Sequence, residues 1–372
     1  MQEAHDNVSV ACRGVKRTMP LHKYKIDLRS DIHNAPTAEM RRAMAEAEVG
    51  GDALAGEDRA VLQLEEACAA LFGKEDALFV CSGTMGNIVS LLTISRPGCA
   101  LIADPYTHIV SSEMNGFERL AGCSLVGIET DGVLTGEMVR HRLMSCHNEG
   151  EAPAVICVEN THALRGGVPW GADIASGLAT VAREHGLKLH IDGARIFNAA
   201  VAMGQTVADL TAGADTVQVC LSKGLGAPFG SLVVGSKGII CRAREFRQML
   251  GGGMHKAGIM AAAGLVALCK MPSRIPDDHR RAARLGSLLA ELKGLRLAYP
   301  VRTNIVDLLF DPERVAGEEL VGRCAQRGLG ITGPWDASSG QWIRLVTCHE
   351  ISDGDVETAA LILAESLRES QR

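Results

Sequence analysis

Val219-Cys220-Leu221-Ser222-Lys223-Gly224-Leu225-Gly226-Ala227-Pro228-Phe229-Gly230-Ser231 sets one lysine at the end of an apolar run and surrounds it with small residues. Upstream, Leu187-Lys188-Leu189-His190-Ile191 forms a second apolar run that ends at Asp192-Gly193-Ala194-Arg195. Short apolar runs of this kind read as buried strands of a parallel sheet, whose carboxyl ends carry the chemistry. A lysine so placed can form a Schiff base with the aldehyde of pyridoxal phosphate. An aspartate ending a neighbouring strand can keep the cofactor's pyridine nitrogen protonated. Lys223 is therefore the expected nucleophile, and Asp192 its partner across the cofactor.

Working outward, the same strand-and-helix alternation continues in both directions. Ala77–Val80, Ala100–Ile102, Ser124–Val126, Ala154–Val158, Thr216–Val219 and Leu232–Val234 read as further short strands, with helical segments between several of them. Ala38–Ala47 and Ala60–Phe72 are rich in helix formers. The expected class is α/β, a mostly parallel central sheet with helices on both faces, followed by a smaller α+β domain containing strands Ile305–Leu309 and Trp342–Val346. The boundaries read as a polar tail over 1–25, a large cofactor-binding domain over 26–271 and a small C-terminal domain over 272–372.

Composition narrows the function classes. The 372 residues are 47% hydrophobic and 22% charged, enough for a substantial core. A formal charge of −6, with Lys and Arg dispersed, disfavours a nucleic-acid partner. The 12 cysteines form no C-x-x-C pair, and several lie in apolar runs, which reads as reduced thiols in a cytoplasmic protein. Ile259–Cys269, the longest apolar stretch, is too short to span a bilayer, so no membrane partner is expected. No metal site is expected either.

Other residues carry chemistry with an alternative beside it. Phe79–Asn87, with Ser82-Gly83-Thr84 at its turn, reads as a strand end opening a helix; alone it is an ordinary capped helix, and beside Lys223 and Asp192 its free N–H groups read as the holder of a phosphate. Arg195 and Arg344 are the candidates to hold a substrate carboxylate with two parallel hydrogen bonds, although in isolation each reads as a salt-bridge arginine. Of the 12 histidines, the pattern alone selects none.

Seven motifs in order make the chain resemble the threonine aldolases among the fold-type-I pyridoxal-phosphate enzymes. They are Asp27-Leu28-Arg29-Ser30-Asp31, Ser82–Asn87, Glu159-Asn160-Thr161-His162, Asp192–Arg195, Leu221–Gly226, Gly251-Gly252-Gly253-Met254 and Arg344-Leu345-Val346-Thr347. The resemblance implies that Gly83 and Thr84 contact the cofactor phosphate and that His108 stacks on the cofactor ring. It implies that His162, with His108, recognises the substrate hydroxyl. Ser30, Arg195 and Arg344 would bind the substrate carboxylate, with Arg195 also among the cofactor contacts. It further implies a homo-oligomer, a tetramer built from dimers, completed at Gly251–Lys256. The reaction implied is retro-aldol cleavage of L-threonine, L-allo-threonine or a related β-hydroxy amino acid to glycine and an aldehyde. Racemisation, transamination or synthesis of a β-hydroxy amino acid on the same scaffold is the alternative. The chain departs from the family at Gly50–Asp58, which lacks a tyrosine and has Leu54. It also departs at Ser112, another expected tyrosine, and at His255, which replaces an arginine and has Lys256 beside it.

Overall fold

Apolar runs too short for helices and buried on both faces dominate the middle of the chain, and they assemble into one sheet. The computed structural model describes residues 24–51, 56–149, 152–337 and 340–370. Its strands are β1 (Ile26–Asp27), β2 (Asp76–Val80), β3 (Ala100–Ala103), β4 (Ser124–Gly127), β5 (Pro153–Glu159), β6 (Lys188–Gly193) and β7 (Thr216–Cys220). They continue with β8 (Ser231–Gly235), β9 (Arg296–Leu297), β10 (Ile305–Phe310), β11 (Leu329–Gly330), β12 (Thr332–Ala337) and β13 (Gly340–Val346). The central sheet has order β2-β8-β7-β6-β5-β3-β4. β3 to β7 lie parallel with β4 at one edge, and β8 runs antiparallel to both β7 and β2. All seven strands expected here are present. Every residue of β3, β7 and β8 is buried, as a sheet covered on both faces requires.

The helices around the sheet begin where side chains can satisfy their free N–H groups. Thr37 accepts from Met40 N to start Ala38–Glu46, Asp58 accepts from Val61 N to start Arg59–Phe72, and Ser82 accepts from Met85 N to start Gly83–Ile94. Each such cap contributes about 1 kcal/mol. Phe72, Ile102, Ile156, Leu189 and Val217 belong to the core on this sheet. Burying a side chain of that size contributes roughly 1.5–3 kcal/mol. A second core, with Leu285, Leu308, Phe310, Leu345 and Leu363, lies under the four-stranded antiparallel sheet β12-β13-β10-β9.

At the start of the described chain, β1 pairs in parallel with β11 at Ile26↔Leu329 and Asp27↔Gly330. Leu28 O accepts from Val346 N at 2.8 Å, and Ile26 and Leu28 pack in the second core. The first strand is thus an arm of the C-terminal layer. Of the tail, residues 1–23 lie outside the described residues, as does Leu54 within the segment 52–55. The helical run Gly258–Ala290 is apolar and long enough by composition to cross a bilayer. It instead supplies Ala261, Ala263 and Leu268 to the first core, and Ala282, Leu285 and Leu289 to the second.

Candidate active site

Glu159, Asp192 and Gln218 stand side by side at the carboxyl ends of β5, β6 and β7, in register across the sheet. A parallel sheet places its ligands at this edge. Asp192 is 2% exposed. Its Oδ1 accepts from Ala194 N at 3.0 Å and, with the Gln218 amide nitrogen turned toward it, from Gln218 at 2.9 Å. Its Oδ2 accepts from Asn87 Nδ2 at 2.8 Å. An ionised carboxylate has about four acceptor positions. The three bonds present leave one for a pyridinium N–H.

Lys223 lies in the loop between β7 and β8. That loop is closed by Leu221 N to Gly230 O at 3.1 Å, Ala227 N to Leu221 O at 2.9 Å and Gly226 N to Lys223 O at 2.8 Å. Two glycines are required there. Gly226 and Gly230 have φ of +70° and +93°, and a Cβ on Gly230 would come 2.4 Å from the Phe79 ring. Asn34 Nδ2 holds Lys223 O at 3.1 Å. A Cβ at the adjoining Gly224 would sit 3.8 Å from Asp31 Oδ2, so the lysine's backbone borders the Asp31 carboxylate.

The helix Gly83–Ile94 points its first turn at the same edge. Ser82 caps Met85 N, and Gly86 N bonds to Ser82 O at 3.0 Å, while the N–H groups of Gly83 and Thr84 have no acceptor among the described residues. Asn87, one turn further along, reaches Asp192 directly. Free N–H groups at a helix start, a carboxylate with one open position and a lysine in the loop after β7 form the set of groups that pyridoxal phosphate needs at its phosphate, ring nitrogen and aldehyde. The residues present fit the cofactor.

His108 opens a short helical turn, its backbone N bonded to Glu159 Oε2 at 2.8 Å. Its Nδ1 lies 2.9 Å from Glu113 Oε1. One ring nitrogen of His108, one Glu113 oxygen and one Asp192 oxygen lie within 4.8 Å of one another, which places the imidazole beside the pyridine position. Burial alone would lower the His108 pKa. The hydrogen bond that His108 gives to Glu113, reinforced by the charge of Asp192 and opposed by Lys223, raises it above the ordinary value.

Both arginines singled out in the sequence are already held by carboxylates. Arg195 donates from Nε and Nη2 to Asp31 at 2.8 and 2.6 Å, and Arg344 donates from the same two nitrogens to Asp307 at 2.8 Å each. Arg344 Nη2 also donates to Ala163 O at 2.6 Å, and its guanidinium lies 5.0 Å from the centre of the Trp342 ring. Nη1 of each arginine has no acceptor among the described residues, so each presents one edge rather than a free fork. Burial would raise the Asp31 pKa, but the Arg195 guanidinium holds it below the usual carboxylate range, with Lys223 adding to the effect. Ser30, whose hydroxyl accepts from Ile32 N at 3.3 Å, adjoins Asp31.

His162 is placed differently from His108. Its ring is 2% exposed and lines a small pocket with Asp104, Thr130, Cys157, Glu159 and Trp170. Nε2 is 3.9 Å from Asp104 Oδ2, and neither ring nitrogen has a hydrogen-bond partner. His255 and Lys256 are exposed. Three residues escaped the sequence reading: Glu113, Gln218 and, as a side chain with a role, Asn87. Glu113 directly follows the position where the tyrosine was missed, and Gln218 is a polar residue inside an otherwise apolar run; both were visible signals.

Residues 27–311 match the family model described as beta-eliminating lyase. A probable low-specificity L-threonine aldolase 2 of Arabidopsis thaliana is 42% identical over 341 residues, covering 89% of this chain and 94% of the relative. The low specificity L-threonine aldolase of Escherichia coli (strain K12) is 38% identical over 268 residues, 72% of this chain and 79% of the relative. Among solved structures, a threonine aldolase of Leishmania major is similar at a TM-score of 0.79 and 20% identity, covering 92% of this chain and 99% of that chain. The last likeness concerns the fold, which is the fold-type-I architecture anticipated from the residues.

Proposed function

The chain belongs to the beta-eliminating lyase family, and we propose that it is a pyridoxal-phosphate-dependent aldolase. Its substrate is L-threonine, L-allo-threonine or a related L-β-hydroxy-α-amino acid, cleaved to glycine and an aldehyde. The observation that carries this reading is the meeting of the Lys223 loop, the single open position on Asp192 and the His108 imidazole at one edge of the sheet. The names of the Arabidopsis and Escherichia coli relatives support it.

Breaking the Cα–Cβ bond leaves an electron pair on Cα, and bound pyridoxal phosphate supplies the sink for it. This chain's residues do the rest. The Lys223 amine would hold the cofactor aldehyde, Asp192 would accept the pyridinium N–H, and Gly83 and Thr84 would give their N–H groups to the phosphate. Arg344 and Arg195 offer their Nη1 edges, with the Ser30 hydroxyl, to the substrate carboxylate. His108 would take the β-hydroxyl proton at Nε2 as the aldehyde C=O forms, with His162 assisting in placing that hydroxyl. The proton count closes when one proton is given back to Cα, directly or through water, and glycine leaves.

Incubation with a panel of L-β-hydroxy amino acids should release the matching aldehydes and glycine in equal amounts. Formation of D-alanine from L-alanine without aldehyde release from any member of the panel would replace this reading with racemisation. The same reading carries a homotetramer built from dimers, with Gly251–Lys256 of one subunit completing the neighbour's phosphate end. Support comes from Met249 at 66% exposure and from the exposed His255 and Lys256. Light scattering that found a fully active monomer would remove that part. A cytoplasmic setting is supported by the free thiols, Cys99 and Cys123 among them at 3.5 Å.

A further inference from the structure

We infer that Glu113 is the positioning residue of His108: its carboxylate fixes Nδ1 as the protonated nitrogen and sets the plane of the ring, leaving the Nε2 lone pair for the substrate. Glu113 is 5% exposed, in a turn where Met114 and Asn115 both adopt positive φ, 53° and 58°. That conformation is unfavourable for residues with a Cβ. The turn brings the Glu113 side chain inward.

The direction of each hydrogen bond follows from one neighbour. Asn87, 1% exposed, donates both amide protons, one to Glu113 Oε1 at 2.9 Å and one to Asp192 Oδ2 at 2.8 Å. Its Oδ1 lies 3.1 Å from His190 Nε2, so His190 donates there and accepts from Thr216 Oγ1 on Nδ1 at 2.8 Å. This chain fixes the Asn87 amide and aims an N–H at Glu113. Glu113 Oε1 is thus an acceptor, and the His108 Nδ1 that meets it at 2.9 Å is the donor. The second oxygen, Oε2, is buried without a partner. Both bonds of Glu113 converge on Oε1, one from the imidazole and one from the amide that also holds Asp192.

The charged and titratable groups around the pair are few. Asp192 on β6, Lys223 in the β7–β8 loop and Glu113 itself act on the His108 ring, and Glu159 of β5 takes the His108 backbone N–H. Glu113 faces Asn87, His108 and the buried Cys157 thiol. Glu113 and Asp192 each pair with a nitrogen-bearing ring, and Asn87 keeps the two carboxylates in register.

The aldolase reading is needed only for what Nε2 meets; the tautomer does not depend on it. The test is ¹⁵N–¹H spectroscopy of protein labelled at histidine nitrogen, with and without cofactor, His108 being assigned from a His108→Gln variant. The neutral ring should be the Nδ1–H form. Glu113→Gln, which keeps size and an acceptor oxygen, should lower the His108 midpoint by about 1 pH unit and move the acid limb of kcat the same way, with KM unchanged. Glu113→Leu should abolish the tautomer preference. A neutral Nε2–H form in the unaltered protein would overturn the inference without recourse to any variant, as would an unmoved midpoint in folded Glu113→Gln. The expected tautomer without aldehyde release from any substrate would sink the aldolase reading and leave the positioning role standing.

Discussion

Arg195 and Arg344 are gripped alike, through Nε and Nη2, by aspartates that are almost wholly buried, yet the two pairs lie differently in the chain. Asp31 is 164 residues from Arg195, and it also accepts from Asn304 Nδ2 at 3.2 Å, so one carboxylate ties the central-sheet region to the C-terminal layer. Asp307 sits directly across from Arg344 in the β10–β13 pair, and the Arg344 bond to Ala163 O reaches out of that sheet. The first arginine is fixed where the two layers join. The second is held within the small sheet and extends one bond beyond it. A substrate carboxylate held between them would sense how closely the layers approach.

Four experiments bear on this contrast. Both arginines are read as serving one lysine, so Lys223→Ala should reduce aldehyde release to the assay background. Borohydride followed by peptide mapping should fix cofactor on Lys223 in the parent protein; label on another lysine would undo the common centre. Next in size, Asp31→Ala strands a buried guanidinium, and loss of a partner from such a pair costs about 3–5 kcal/mol. The urea midpoint should therefore fall well below that of Asp307→Ala, whose arginine keeps the Ala163 contact. Equal losses would mean that the two pairs carry the same structural duty.

Acid separates the interlayer pair from its surroundings. Burial pushes the pKa of His190 down to about 4, while an unfolded histidine stands near 6.5. The unfolded chain therefore binds more protons between those values. The contribution of a neutral His190 is complete above pH 6.5 and is lost as pH falls toward 4. On the order of 2 kcal/mol should disappear between pH 7 and pH 5. Asp31, held below the usual carboxylate range, keeps its bond to Arg195 over that interval. His190→Gln should flatten the slope of urea midpoint against pH; an unchanged slope would reassign the acid lability. The smallest effect expected is on Arg344→Lys, which keeps charge but loses the Nη1 edge that the Asp307 pair orients, and should weaken substrate binding by about tenfold, or 1.4 kcal/mol. The cofactor absorbance should not change. If binding also stays the same, the carboxylate is held by Arg195.

Much of the central sheet was legible because strands such as β3 and β8 are buried along their whole length and therefore read as short apolar runs, as in Ala100–Ile102 and Leu232–Val234. Lys223 and Asp192 stood out as polar residues ending such runs. The two-residue strands β1, β9 and β11 carry no such signature, since their identity comes from pairing alone. The engagement of Arg195 and Arg344 was hidden for a related reason. A guanidinium's partner is chosen by register and tertiary proximity, which residue type does not reveal. Glu113 lies in a turn between exposed neighbours, where a glutamate ordinarily meets water, and positive φ at the two following residues turns it inward.

The pairing of β1 with β11 also bears on how the protein is made. Thr332 Oγ1 closes on Arg29 O across 303 positions. Synthesis proceeds from the amino end at roughly 5–20 residues per second, so the arm emerges on the order of tens of seconds before its partner strand. During that interval the ribosome-bound chain exposes Ile26 and Leu28, later buried at 5% and 0%. Lys223 and Asp192 are translated well before Asn304, Asp307 and Arg344. The Asp192–Lys223 region thus precedes the Asp307–Arg344 pair off the ribosome, and nascent chains stalled before residue 329 should still lack the docked arm.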